Sequence, residues 1–130
     1  SQESELTRWI KQVASHYDFL IEEVNYIFCS DEYLLTINQS HLNHNTYTDI
    51  ITFDLSENSN ELCADIFISI DRIKENSESF KTHFSDELTR VLVHGILHLV
   101  GFKDKTDSEK KVMRAKENFH IKDIDISVEY

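Results

Sequence analysis

Apolar positions recur with a helical period over residues 5–17, ELTRWIKQVASHY, where Leu6, Trp9, Ile10, Val13 and Tyr17 share one face. A strand is predicted next, over 23–29 (EVNYIFC). Ser30 or Asp31 can cap a short helix over 31–40, with Tyr33, Leu34 and Ile37 turned inward. Two β-branched and aromatic runs, 48–54 (TDIITFD) and 62–70 (LCADIFISI), predict strands, and the hydrophilic SENSN between them predicts a hairpin. Residues 71–80 carry a weaker helical pattern. Residues 86–100 (DELTRVLVHGILHLV) are apolar nearly all round from Val91 on, which marks a buried helix rather than a surface one. Thr106 and Glu109 form a T-x-x-E capping box, so a further helix starts near Asp107. The last residues, IDISVEY, read as a short strand or a tail. Strands come early and helices late, and the sheet is expected to mix parallel and antiparallel pairs. The predicted class is α+β, with a small mixed sheet of about four strands packed with helices.

The chain has 130 residues, one domain's length, and no repeat, linker or low-complexity tract divides it, so residues 1–130 are read as a single domain. At 40% hydrophobic and 11% aromatic residues, it can fill a core. No apolar run is long enough for a membrane span, and the N-terminus, SQESELTRW, has neither the basic nor the apolar region of a signal peptide. Cys29 and Cys63 lie in strand-like apolar runs without metal-site spacing, as expected of reduced core thiols in the cytoplasm. The net charge of −11 argues against a generic nucleic-acid binder and gives no reason to expect DNA. Its distribution changes the picture. Residues 1–102 hold 6 basic and 17 acidic side chains, whereas residues 103–117 hold 6 basic (Lys103, Lys105, Lys110, Lys111, Arg114 and Lys116) and 4 acidic.

That basic island begins inside HGILHLVGFKD, His94 to Asp104, which also contains both glycines of the chain. On a helix, His94 and His98 point the same way, one turn apart, and two such imidazoles can grip one metal ion. No polar neighbour within the apolar helix satisfies their nitrogens. Gly101 follows three residues after His98, where a left-handed turn ends a helix and can bring Asp104 back to the same ion. The pattern H-x3-H-x2-G-x2-D thus gives three candidate ligands and an open position, a catalytic rather than a structural zinc arrangement. Asp107 is the alternative third ligand. Gly95, costly in a helix interior, predicts close approach of backbone or substrate beside His94.

Two families share the spacing. HExxHxxGxxH zinc proteases carry their general base, a glutamate, after the first histidine. Gly95 stands there, so a zinc metallopeptidase is only an alternative. HGILHLVGF more closely resembles the HGxLHLxGYDH motif of the bacterial YbeY-type endoribonucleases, the rRNA maturation factors. TDIITFD (Thr48–Asp54) is similar to that family's T-[DN]-V-L-S-F segment, ADIFIS (Ala64–Ser69) to its G-D-I-x-I segment, and Met113 falls where the family often has methionine. The resemblance covers roughly residues 30–117.

It implies a compact zincin-like fold, one metal ion per chain, usually zinc, and single-strand endoribonuclease activity in 16S rRNA 3′-end processing and ribosome quality control. Its implied partners are rRNA and the small ribosomal subunit, and its compartment the cytoplasm. Its implied ligands are His94, His98 and the residue at 104. There the sequence departs, with Asp104 at the usual third histidine and Lys103 at the preceding aspartate. Zinc accepts a carboxylate, but the added charge makes the ion less electrophilic. A two-histidine, one-carboxylate site also suits other divalent metals. A family arginine aligns with Leu42, leaving His44 (or His41) and Lys103 as candidate helpers. Lys103, Lys105, Lys110 and Arg114 are candidate RNA-phosphate contacts, while Lys111 and Lys116 read as a solvated helix face. A weakly catalytic ribosome-assembly factor binding RNA or protein is the second alternative.

Overall fold

A computed structural model describes residues 2–41, 48–122 and 124. The order is α1 (Gln2–His16), β1 (Leu20–Cys29), α2 (Asp31–His41), β2 (Ile50–Asp54), β3 (Glu61–Ser69), α3 (Ile70–Phe80), α4 (Phe84–Leu99) and α5 (Asp107–Ile121). The sheet order is β1-β3-β2; β1 runs parallel to β3 and β2 antiparallel to it. The expected class, mixed sheet and hairpin are all present. The described residues contain three strands, and the possible strand at 124–130 lies outside them except for Ile124, which packs on the core.

Strand alternation sorts side chains into two layers. Leu62, Ala64, Ile66 and Ile68 of β3 meet α1 and α4, with Trp9, Val13, Leu92, Val93, Ile96 and Leu97 buried between them. Phe67 turns to the other face, where Leu34 and Ile37 of α2 cover Ile51. A register shift between Ile21 and Glu23 of β1 switches the core-facing parity, so Ile21, Val24 and Tyr26 all reach the larger layer. The Tyr26 hydroxyl donates to the Leu92 carbonyl at 3.1 Å and fixes α4 against the sheet. Full burial of each such aliphatic side chain contributes about 1.5–3 kcal/mol, which makes α4 the best-anchored element.

Three expectations about the fold need correction. Tyr33 was expected to face inward, yet it is 53% exposed; the short α2 buries only the stripe of Leu34, Ile37 and Asn38. Gly95 does not open space for a substrate. A Cβ there would lie 3.1 Å from Ile66 Cδ1 and 3.2 Å from Ile50 Cδ1, so its missing side chain lets α4 settle onto the sheet. β3 ends at Ser69 rather than residue 70, because the Ser69 hydroxyl accepts from the Arg72 N–H and caps α3.

Candidate metal centre

His94 and His98 stand one turn apart on α4, with Nε2 atoms 3.0 Å apart. Beyond Leu99 the helix ends in paired backbone bonds, Gly101 N–H to His98 O (3.1 Å) and Phe102 N–H to Leu97 O (3.0 Å). Gly101 has φ +113°, outside the left-handed well that Asp18 (66°) and Lys81 (56°) occupy, so only glycine fits without strain. The chain reverses there. Asp104 Oδ2 comes to 3.2 Å from His94 Nε2 and 3.4 Å from His98 Nε2.

The three ligand atoms form a nearly equilateral triangle. For metal–ligand distances of about 2.0–2.2 Å, two corners of a tetrahedron lie roughly 3.3–3.6 Å apart. The triangle is within a few tenths of an ångström of one tetrahedral face, and the donor set could hold a metal ion. The side chains are 19%, 31% and 38% exposed, so the trio opens to solvent. Asp107 begins α5, is exposed and does not join it.

Beneath His94 lies Glu117 of α5, 4% exposed. Its Oε2 is 2.7 Å from His94 Nδ1, and its Oε1 accepts from Arg90 Nη1 at 2.9 Å. Arg90 also donates to Asn118 Oδ1 at 2.8 Å. Burial alone would push the His94 imidazole down, but hydrogen bonding and charge from Glu117, with Asp49 and Asp104, leave its pKa raised. Burial would likewise push Glu117 up, yet His94 and Arg90 hold it below the usual carboxylate range. Asp49, at the entry to β2, is pushed up by burial against the pull of His94, and the charges of Glu117 and Asp104 add to the rise.

The profile of the family described as Endoribonuclease YbeY matches residues 1–125. The chain is 54% identical to a Cytophaga hutchinsonii protein of that name over 90% of this chain and 82% of the relative. The corresponding protein of Bacteroides fragilis strain ATCC 25285 is 52% identical over 88% and 81%. The chain belongs to the YbeY endoribonuclease family. The solution structure of TM1509 from Thermotoga maritima superposes with a TM-score of 0.65 at 27% identity, covering 93% of this chain and 79% of that one.

Around this family's motif, the candidate phosphate contacts differ in position. Lys103, Lys105 and Lys110 are exposed, and Lys103 lines a groove of about 430 Å³ with Gly101, Phe102, Ser108, Glu109 and Val112. Arg114 is 61% exposed, with Nη1 3.8 Å from Glu117 Oε1, so its guanidinium stands near the carboxylate that also contacts His94. Lys116 is not simply solvated: it is half-buried, with its ammonium 5.9 Å from the Phe102 ring centre. His44 and Leu42 lie outside the described residues, as does the His41 side chain. Sequence reasoning missed Glu117, Arg90 and Asp49. Two signals were available: Arg90, His94 and His98 share a four-residue spacing, and Glu117 falls on the buried Met113–Glu117–His120 stripe.

Proposed function

We propose that the chain is a metal-dependent endoribonuclease cleaving single-stranded RNA, with His94, His98 and Asp104 holding one divalent ion. Family membership gives the reaction class, a hydrolase acting on RNA. The triangle of ligand atoms at 3.0, 3.2 and 3.4 Å carries the metal reading, and two imidazoles with one carboxylate suit zinc, as they do other divalent ions. When bound, such an ion polarises a phosphoryl oxygen and activates water. Lys103 and Lys105 flank Asp104 and offset phosphate charge there. Lys110 and Arg114, on α5, hold the RNA backbone, and the exposed Arg114 guanidinium is suited to two phosphate oxygens at once. We place its substrate at the 3′ end of 16S rRNA in the small ribosomal subunit, and the protein in the cytoplasm. Both cysteines are free, and no helix of the described residues is long and apolar enough to cross a membrane. A peptidase is disfavoured because Gly95, against the sheet, stands where the base would be.

Single-turnover cleavage of a 16S rRNA 3′-end fragment tests the reading. Wild-type protein should cleave it, and His94→Ala should lose more than about a hundredfold, beyond the usual effect of a group outside the ligand sphere. Equal traces of cleavage in both would assign the activity to a contaminant and leave a binding factor. Metal analysis should give about one equivalent per chain, lost in His98→Ala and weakened in Asp104→Ala.

A further inference from the structure

Glu117 is placed unlike any other acidic side chain of the described residues. It is 4% exposed, comes from a different helix than the histidines, and divides its two oxygens between His94 Nδ1 and Arg90 Nη1. A metal ligand imidazole has one task for each nitrogen: one gives its lone pair to the ion, the other carries a proton and needs an acceptor. We propose that Glu117 is the positioning residue of the metal centre, holding the Nδ1 proton of His94 so that Nε2 faces the ion. The proposal rests on the metal reading above.

Three observations carry it. His94 Nε2 is the atom that faces Asp104 Oδ2 and His98 Nε2, while Nδ1 faces away toward Glu117. A ring flip would turn a C–H toward the carboxylate and forfeit a 2.7 Å charge-assisted bond, so one orientation is fixed. Arg90 lies one turn before His94 on α4 and takes the other oxygen at 2.9 Å, which prevents the carboxylate from swinging away. The centre is thus built as Arg90–Glu117–His94, with only the last member facing the ion.

The test uses the full chain loaded with zinc. ¹⁵N-histidine NMR of wild-type protein should show the His94 proton on Nδ1, with Nε2 carrying the metal-bound shift. Zinc affinity, read by competition with a chromophoric chelator, should fall about 10- to 100-fold in Glu117→Gln, and the His94 Nδ1 signal should move. Glutamine keeps the shape but offers one acceptor to two donors. Arg90→Met should give a smaller loss in the same direction. Zinc affinity unchanged in a folded Glu117→Gln protein, or a proton on Nε2 with the metal at Nδ1, would overturn the proposal. If Glu117→Gln does not fold, the wild-type spectrum alone decides. Failure of the metal reading has a different signature: His98→Ala would then keep a full equivalent of zinc.

Discussion

Among the described residues, two partly buried arginine–carboxylate pairs look alike but differ in what they connect to. At the junction of α2 and α3, Arg72 Nε and Nη2 meet Asp31 Oδ2 at 2.9 Å each. At the junction of α4 and α5, Arg90 meets Glu117 at 2.9 Å. The difference lies in what else the carboxylate touches. Asp31 accepts from the Ser69 hydroxyl, itself the cap of α3, so every contact ends within the scaffold. Glu117 passes its other oxygen to His94, whose far nitrogen faces the other two proposed metal ligands. On the proposed reading, an ion pair gains a function through the atom at its open end, not through its own geometry.

The comparison breaks most sharply by truncation. Glu117→Ala leaves Arg90 and His94 facing a buried void and should destabilise the metal-free protein by about 3–5 kcal/mol in urea unfolding, besides weakening zinc binding. Asp31→Ala should cost about 1–2 kcal/mol, less because both partners keep some exposure, and should leave zinc affinity at the wild-type value. If Asp31→Ala weakened zinc as much as Glu117→Ala does, the two junctions would not be separable.

Gly101→Ala comes next. Its φ of +113° disfavours any side chain, so about 1–3 kcal/mol of strain is expected, relieved by moving the turn that carries Asp104. Calorimetry should show lower stability together with weaker zinc binding.

The pH response sharpens the contrast further. In the metal-free protein the His94 pKa is raised, so its contribution is complete below the ordinary 6.5 and is lost as pH rises through the folded value. The Glu117 pKa is lowered, so its contribution is complete above the ordinary 4.5 and is lost as pH falls through the folded value. Denaturation midpoints should therefore be highest between these two values and decline on both sides. Glu117→Gln should flatten that profile. The smallest effect is Gly95→Ala. Better helix propensity offsets contacts at 3.1 and 3.2 Å with two yielding isoleucine ends, so destabilisation should stay below about 1 kcal/mol, with zinc affinity unchanged.

Much of this was legible in the sequence wherever one element decides the matter. The period of residues 86–100 exposed α4, i,i+4 spacing paired the histidines, and the lone glycine after them located the reversal that brings in Asp104. Legibility ended where two distant elements meet. Glu117 is 23 residues from His94, and its spacing from Met113 marks it as facing inward without showing that it meets α4. Gly95 was legible only in part: its close approach was expected, but not that its partners, Ile50 and Ile66, belong to the sheet. Tyr33 was misplaced because α2 meets the sheet along a narrower stripe than its apolar content suggests.

The reversal at Gly101 also bears on how the centre can vary. His94 and His98 are rooted in a helix whose neighbouring residues Val93, Ile96 and Leu97 have no exposure, so replacing either disturbs a surface tied to the core. Asp104 hangs from a short turn and answers only to reach and chemistry. An imidazole or a carboxylate can each be tried there without repacking anything, and the charge of the centre can be reset one residue at a time. The third corner of the proposed centre is therefore the adjustable one, where the donor can change while the fold stays as it is.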